Sequence, residues 1–366
     1  MHMAKILIDA RESGTSTGRY IDKLVEYLHK IPTDHDIQIL TKKHRVGFMH
    51  EIAPTFTVTE TPYAEFSFGE QLGLKKQIES LKPDLVHFGM VQQPVLYRGK
   101  VVTTMHDLTT IRFRNPSKNA VIFTVKQLVY KWVNKRVAHK SRVVITPTNF
   151  VKRDVVHYCH IPAEKVVVTL ESADKIQEEP KAIKELENKQ FIMYVGRPTP
   201  HKNLPRLIEA FTELQKDYPK LYLVLAGKKD ALYEAHERSI TEKGMKNVMF
   251  TGFVTDGQLR WLYEHTACYA FPSLSEGFGL PGLEAMTHGA PVASSNATCL
   301  PEVYGEAAIY FDPKDSRGMA DAIRSILSDT ELKKECIKRG HTQVAKFSWE
   351  HMANQTFDIY NGVLKK

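Results

Sequence analysis

The chain alternates short apolar runs with longer amphipathic segments from one end to the other, and this rhythm restricts the fold more than any other feature. Runs that are apolar throughout suit strands buried on both faces, and such strands belong to parallel sheets covered by helices. In the first half the runs are 5–9, 37–41, 84–88, 101–105, 142–147 and 165–170. In the second they are 191–195, 221–226, 248–250, 267–271, 291–294 and 308–311. Helical patterns fall at 18–30, and again at 204–214, 258–264, 280–288, 317–327 and 330–340. A polar stretch rich in Glu and Lys, 175–189, separates the halves. A length of 366 residues fits two domains of ordinary size. The fold class is therefore α/β, with two doubly wound parallel-sheet domains at 1–172 and 173–348 and a cleft between them. Ligands of such sheets bind outside the carboxyl ends of the strands.

The richest strand end is the stretch 271–291. Phe271 closes an apolar run, Gly277, Gly279 and Gly282 follow, and a short helical pattern ends at Gly289. Glycines there let a ligand approach backbone amides at a helix N-terminus, which suits a phosphate. Glu276 and Glu284 bracket the turn. Carboxylates accept hydrogen bonds from sugar hydroxyls, so the stretch matches a ligand with both phosphate and sugar. A glycosidase also uses paired carboxylates, but it has no use for a phosphate cradle between them.

Four other strand ends carry chemistry. Gly196 and Arg197, followed by Lys202 and Asn203, place two cations at the start of a helix with Asn203 at its N-cap. That is a site for a diphosphate. Gly252, Phe253 and Val254 offer open backbone beside an apolar wall for a nucleobase, although a core aromatic is the commoner role. Gly14 and Gly18 follow the first run and could turn amides toward an anion, although glycines there are usually turn punctuation. His106 and Asp107 leave the run 101–105. His106 suits a substrate hydroxyl or developing charge; Asp107 suits an orienting or acceptor role, or a helix cap.

The net charge of +8 is concentrated. Between residues 98 and 153 there are 13 basic residues and one acid, Asp107. This is either a solvated face or a surface for anionic lipid or a pyrophosphate-linked acceptor. No nucleic-acid motif accompanies it, and the aromatics do not interleave with the charges, so nucleic acid is not an expected partner. Three of the four cysteines, Cys159, Cys268, Cys299 and Cys336, sit beside apolar residues without metal-ligand spacing, as packed thiols of a reducing compartment do. No apolar run approaches the roughly 20 residues of a membrane span, and the N-terminus reads as a strand rather than a signal peptide. The expected location is the cytoplasm, with peripheral attachment to the inner face of the cell membrane through the 98–153 region.

Taken together, these motifs resemble the retaining glycosyltransferases of family 4. The resemblance rests on Gly14 to Gly18 with Arg19 and Tyr20, His106-Asp107, Gly196-Arg197 with Lys202-Asn203, Gly252-Phe253, the Glu276-Gly-Phe-Gly-Leu-Pro-x-x-Glu284 signature, and Phe347-Ser-Trp349 before a last helix. It implies the GT-B fold of two Rossmann-like domains, with the helix 349–366 crossing back to the N-terminal one. It implies that Arg197 and Lys202 hold the donor diphosphate, that Glu276 contacts the donor sugar, and that Glu284 contacts the ribose. Gly277, Phe278, Gly279 and Leu280 would offer amides to sugar and phosphate, and His106 would touch the sugar near the reacting carbon. It further implies retention of configuration with no metal or other cofactor; no Asp-x-Asp motif of the metal-holding kind is present. Pro198 and Pro200 depart from the usual phosphate turn. The Asp9-Ala-Arg11 and Gly18-Arg19-Tyr20 segments are most like mannosyltransferases of bacterial polysaccharide pathways. The expected substrates are a nucleotide sugar, GDP-mannose first and a UDP-hexose or UDP-N-acetylhexosamine second, and a glycan or lipid-linked acceptor. A nucleotide-sugar epimerase and a non-catalytic binding protein are the competing readings, the latter having no use for both cations and both glutamates.

Overall fold

The computed structural model describes residues 3–15, 17–113 and 120–365, without the side chains of 120–123 and 125. The chain divides into two units: Met1–Ile111 with Ser117–Glu171 and Ser348–Lys366, and Arg112–Pro116 with Ser172–Phe347.

The first unit is built on a parallel sheet of β1 (Lys5–Asp9), β2 (Asp36–Thr41), β3 (Thr57–Glu60), β4 (Leu85–Phe88), β5 (Val101–Thr104), β6 (Val143–Thr146) and β7 (Val166–Val168). Their order is β3-β2-β1-β4-β5-β6-β7. Helices cover both faces, so central strands lose their alternation: Ile6, Leu7 and Ile8 are all fully buried. Each such side chain contributes about 1.5–3 kcal/mol relative to exposure. The final helix, Trp349–Leu364, belongs to this unit. Its Tyr360 hydroxyl lies 2.6 Å from His87 Nδ1, and Lys100 Nζ donates to the carbonyls of Val363 and Leu364 at 3.3 Å each. His87 is buried between Tyr360 and Thr104, and burial pushes its pKa down to about 3.

The second unit carries β8 (Phe191–Val195), β9 (Tyr222–Ala226), β10 (Val248–Gly252), β11 (Cys268–Phe271), β12 (Val292–Ser295) and β13 (Ala308–Phe311), all parallel, in the order β10-β9-β8-β11-β12-β13. In both sheets the order reverses beside the first strand, between β1 and β4 and between β8 and β11. Those reversals open the crevices where ligands of such sheets bind. The stretch 175–189 contains one 3₁₀ turn, Lys184–Leu186. All four cysteines are buried and unpaired.

Candidate active site

In the second unit, the loops leaving β8 and β11 meet at the sheet's reversal. Lys202 Nζ lies 2.6 Å from Glu276 Oε1, with the side chains 18% and 12% exposed. Two further bonds stitch the loops together. The Leu274 amide donates to the His201 carbonyl at 2.7 Å, and Asn203 Nδ2 donates to the Pro272 carbonyl at 3.0 Å. Asn203 Nδ2 also donates to the Pro313 carbonyl at 2.7 Å. Asn203 stands at the N-cap of helix Leu204–Asp217 in a left-handed conformation, but its side chain makes no capping bond. The expected cap is thus a bridge between loops. It is a better use of a buried amide, because both of its N–H groups find carbonyls.

Glu276 is fixed from two sides. Its amide donates to Thr298 Oγ1 at 3.1 Å, and its carbonyl accepts from Cys299 Sγ at 3.3 Å. Beyond it the chain turns through Gly277, Phe278 and Gly279 into the helix Leu280–Thr287. Gly279 has φ 95°, and a Cβ there would sit 2.6 Å from Leu300 Cδ2 and Tyr304 Oη. Tyr304 also donates to the Gly279 carbonyl at 2.5 Å, so the glycine is required both by conformation and by the approach of a tyrosine. Phe278 is buried edge-on against Phe347, with ring centroids 5.6 Å apart, so its side chain packs the turn from beneath. Glu284, half-buried on the helix, accepts from the Tyr263 hydroxyl at 3.2 Å.

Around this centre, Arg197 is exposed, and its carbonyl accepts from Tyr194 Oη at 3.3 Å. Gly196 has φ 145°; its amide is already given to Ala226 and its carbonyl accepts from Tyr233 Oη at 2.7 Å. Phe253 is 78% exposed just beyond Gly252, with Val254 half-buried behind it. The aromatic there is an open face rather than a core residue.

The first unit holds the remaining residues. His106 Nδ1 lies 3.1 Å from Glu171 Oε1, and Nε2 lies 3.0 Å from the Gly89 carbonyl. Both partners can only accept, so the ring satisfies them when both nitrogens carry protons. Burial pulls the His106 pKa down, but the bond to Glu171 and its charge outweigh this and raise it. This corrects the expectation of a ring nitrogen turned to a substrate hydroxyl: both are committed within the unit. Asp107 Oδ1 accepts from the Thr109 amide at 2.7 Å, the local bond of a helix start.

The expectation that Gly14 and Gly18 turn amides to an anion is likewise corrected. The Gly14 amide donates to Asp22 at 3.3 Å and the Gly18 amide to Thr15 Oγ1 at 3.0 Å. Gly18 is there for space, since a Cβ would lie 1.8 Å from the Glu12 carbonyl oxygen. Arg19 is half-buried in the first turn of the helix Gly18–Leu28.

Comparison with known proteins gives this arrangement a family. Residues 17–170 match the Glycosyltransferase Family 4 model, and residues 175–343 match that of Glycosyl transferases group 1. The chain is 31% identical over 277 residues to the O-antigen chain mannosyltransferase B of Escherichia coli, covering 71% of this chain and 70% of that protein. The chain belongs to glycosyltransferase family 4. The O-antigen chain mannosyltransferase RfbU of Salmonella typhimurium is 25% identical over 354 residues, spanning 93% of this glycosyltransferase and 94% of the relative. Among solved structures, sucrose-phosphate synthase from Thermosynechococcus elongatus superposes with a TM-score of 0.79 at 17% identity, covering 99% of each chain. Anabaena HepE in complex with UDP and glucose gives 0.74 at 17%, covering 98% of this chain and 100% of that one. The two parallel-sheet domains are those of the GT-B fold.

Sequence reasoning missed three participants in this glycosyltransferase. Glu171, which bonds His106 and raises its pKa, lies 65 residues away. Glu70 clamps Arg11 from a distance of 59 residues. Tyr304, which dictates Gly279, carries no local motif.

Proposed function

We propose that this glycosyltransferase moves a hexose from a nucleotide sugar to a glycan or lipid-linked acceptor with retention of configuration, and that the donor is GDP-mannose. The observation that carries the reading is the contact of Lys202 with Glu276 at the reversal of the second sheet, beside the Gly279 turn. A cation suited to phosphate and a carboxylate suited to sugar hydroxyls are thus brought to one place in the fold, where a sugar phosphate would engage both. Mannose is favoured because the relatives above are mannosyltransferases.

In this reading Arg197 and Lys202 stabilise the diphosphate as the bond between it and the sugar's anomeric carbon breaks. The acceptor hydroxyl attacks from the same face, forms the new C–O bond, and passes its proton to the departing phosphate oxygen. Glu276 receives the sugar hydroxyls, and Glu284, steadied by Tyr263, receives the ribose diol. The exposed Phe253 and half-buried Val254 offer the base a wall. With two cations on the leaving group, the proposal needs no metal ion. Thermal shift with GDP, UDP and ADP sugars tests the donor, since ligand raises apparent stability by mass action. A rise with GDP-mannose is expected; a larger rise with a UDP sugar would transfer the proposal to that donor.

The proposal includes peripheral attachment to anionic membrane. On the helix Ala120–Lys140, exposed Lys126, Lys135 and Arg136 and half-buried Lys131 accompany Leu128, Val129 and Trp132, which are 62%, 55% and 55% exposed. Arg114 and Lys118 of the basic region lie outside the described residues. Basic residues contribute about 1 kcal/mol each at an anionic surface, and an exposed Trp suits the headgroup layer. Among the described residues no helix is long and apolar enough to cross a membrane. Co-sedimentation with phosphatidylglycerol vesicles should be lost on reversing Lys126, Lys131, Lys135 and Arg136 together; retention would count against this attachment.

A further inference from the structure

Glu276 stands in neither a strand nor a helix, so no ladder of backbone bonds holds it. Its amide and carbonyl go instead to one turn, the turn that follows β12. The amide donates to Thr298 Oγ1 at 3.1 Å, and the carbonyl accepts from Cys299 Sγ at 3.3 Å. The Thr298 side chain also bonds the Cys299 thiol. Donors and acceptors balance around this ring. The amide gives its proton to the hydroxyl oxygen, the hydroxyl gives its own to sulfur, and the thiol gives its own to the carbonyl. Burial and the Glu276 charge push the Cys299 pKa up, so the thiol keeps the proton that the ring needs. The same turn reaches further back along the loop, where Ser295 Oγ donates to the Ser273 carbonyl at 2.6 Å.

Thr298 makes its bond from a backbone conformation it does not favour. Its φ is 55°, and among the described residues it is the one β-branched side chain with positive φ. Asn188, Asn203 and Asn247 share that region, which asparagine tolerates, and Lys82 and His160 share it where they end helices. Thr298 ends no helix, and its Cβ crowds the following carbonyl where glycine would sit at ease. Strain of this kind persists when the surroundings over-determine a residue, and it gathers at functional sites. What over-determines Thr298 is the hydroxyl, which glycine lacks.

We propose that Thr298 is a positioning residue for the donor sugar: its strained backbone sets the hydroxyl that clamps the Glu276 peptide, and through that peptide it aims the Glu276 carboxylate. The inference rests on the transferase reading, in which Glu276 meets the sugar while Arg197 and Lys202 meet the diphosphate. Thr298 therefore acts on recognition of the sugar and not on that of the nucleotide. Two demands separate within one side chain: the hydroxyl serves the ligand, and the branched carbon lowers the stability of the fold.

The test compares Thr298→Ser, Thr298→Val and Thr298→Gly in the full-length protein by calorimetry and thermal melting. The probes are GDP-mannose beside GDP, and UDP-glucose beside UDP. Serine keeps the hydroxyl and should bind the nucleotide sugar within about twofold of wild type. Valine keeps the branch without the hydroxyl; it should weaken the nucleotide sugar about fivefold, the net worth of one hydrogen bond, and melt below wild type. Glycine should weaken it as much as valine does yet melt higher than valine, because the strain leaves with the side chain. Bare GDP and UDP should bind every variant as they bind wild type. A merely structural prop would behave otherwise, with affinity following melting temperature and with sugar and bare diphosphate weakening together. Normal binding of the nucleotide sugar by a well-folded Thr298→Gly overturns the inference, as does equal weakening of the bare diphosphate in Thr298→Val. If the wild-type protein binds neither nucleotide sugar, the transferase reading fails. If it binds one and the variants rank otherwise than stated, only the role of Thr298 fails.

Discussion

Replacing Lys202 with methionine removes the ammonium while keeping most of the side chain's length, and its consequences for binding and for folding can be separated. In the unliganded protein Lys202 is paired with Glu276 at 2.6 Å, with the two side chains 18% and 12% exposed. Water reaches the pair, so its loss costs the fold about 1 kcal/mol or less, which lowers the melting temperature by roughly 1 °C for a protein of this size. The functional effect is larger. A charge-assisted hydrogen bond to the departing diphosphate is worth about 1.5–3 kcal/mol, and in the transition state that is roughly a 10- to 150-fold loss of turnover. The assay is release of nucleoside diphosphate from GDP-mannose with acceptor present, beside a thermal melt of the same preparation. Glu276→Gln gives the partner measurement, and the double variant completes a cycle that isolates their coupling. Turnover by Lys202→Met within threefold of wild type, in a protein that melts normally, would refute the assignment of Lys202 to the leaving group.

Other outcomes follow from local geometry. Gly279→Ala should lose about 2–4 kcal/mol in urea unfolding, combining left-handed strain with overpacking against Leu300 and Tyr304. Gly47→Ala, in the helix Val46–Ile52 with nothing within 4 Å of the added carbon, should instead gain roughly 0.5–1 kcal/mol. The depressed pKa of His87, about 3 when folded against an ordinary 6.5, means that the unfolded chain binds more protons between those values. Stability should therefore fall as pH drops below about 6.5, by up to about 1.4 kcal/mol per unit, and His87→Gln should flatten that slope. His106 acts in the opposite sense, since its raised pKa adds stability at low pH that is lost as pH rises through its folded value. Activity should survive EDTA unchanged; a tenfold loss restored by magnesium or manganese would contradict the metal-free proposal.

How much of this was legible in the sequence depends on how local each cause is. Strands β1, β8 and β13 have the ends read from the sequence, where a compact apolar run marks each one. Strand β3 went unread: Thr57–Glu60 is an edge strand with one large apolar residue and no buried position. Helix Ala231–Glu242 was missed for a related reason, since only Tyr233 and Ile240 are buried along it. At the candidate site, the turn residues announced themselves through glycine, proline and charge. Their partners did not. Glu171 and Glu70 are ordinary glutamates until the fold carries them to His106 and Arg11.

Asn203 has a wider consequence than its place at a helix start suggests. One carboxamide spans the turn carrying Lys202, the strand exit leading to Glu276 and, through Pro313, the turn that precedes the helix Ser316–Ser328. None of these segments can shift alone without stripping a proton donor from a buried carbonyl. These loops therefore behave as a single tile set into the sheet, whose pieces move together or stay put. If the proposed donor site is right, discrimination among nucleotide sugars is written in the side chains around the rim of that tile, where replacements leave the joint intact.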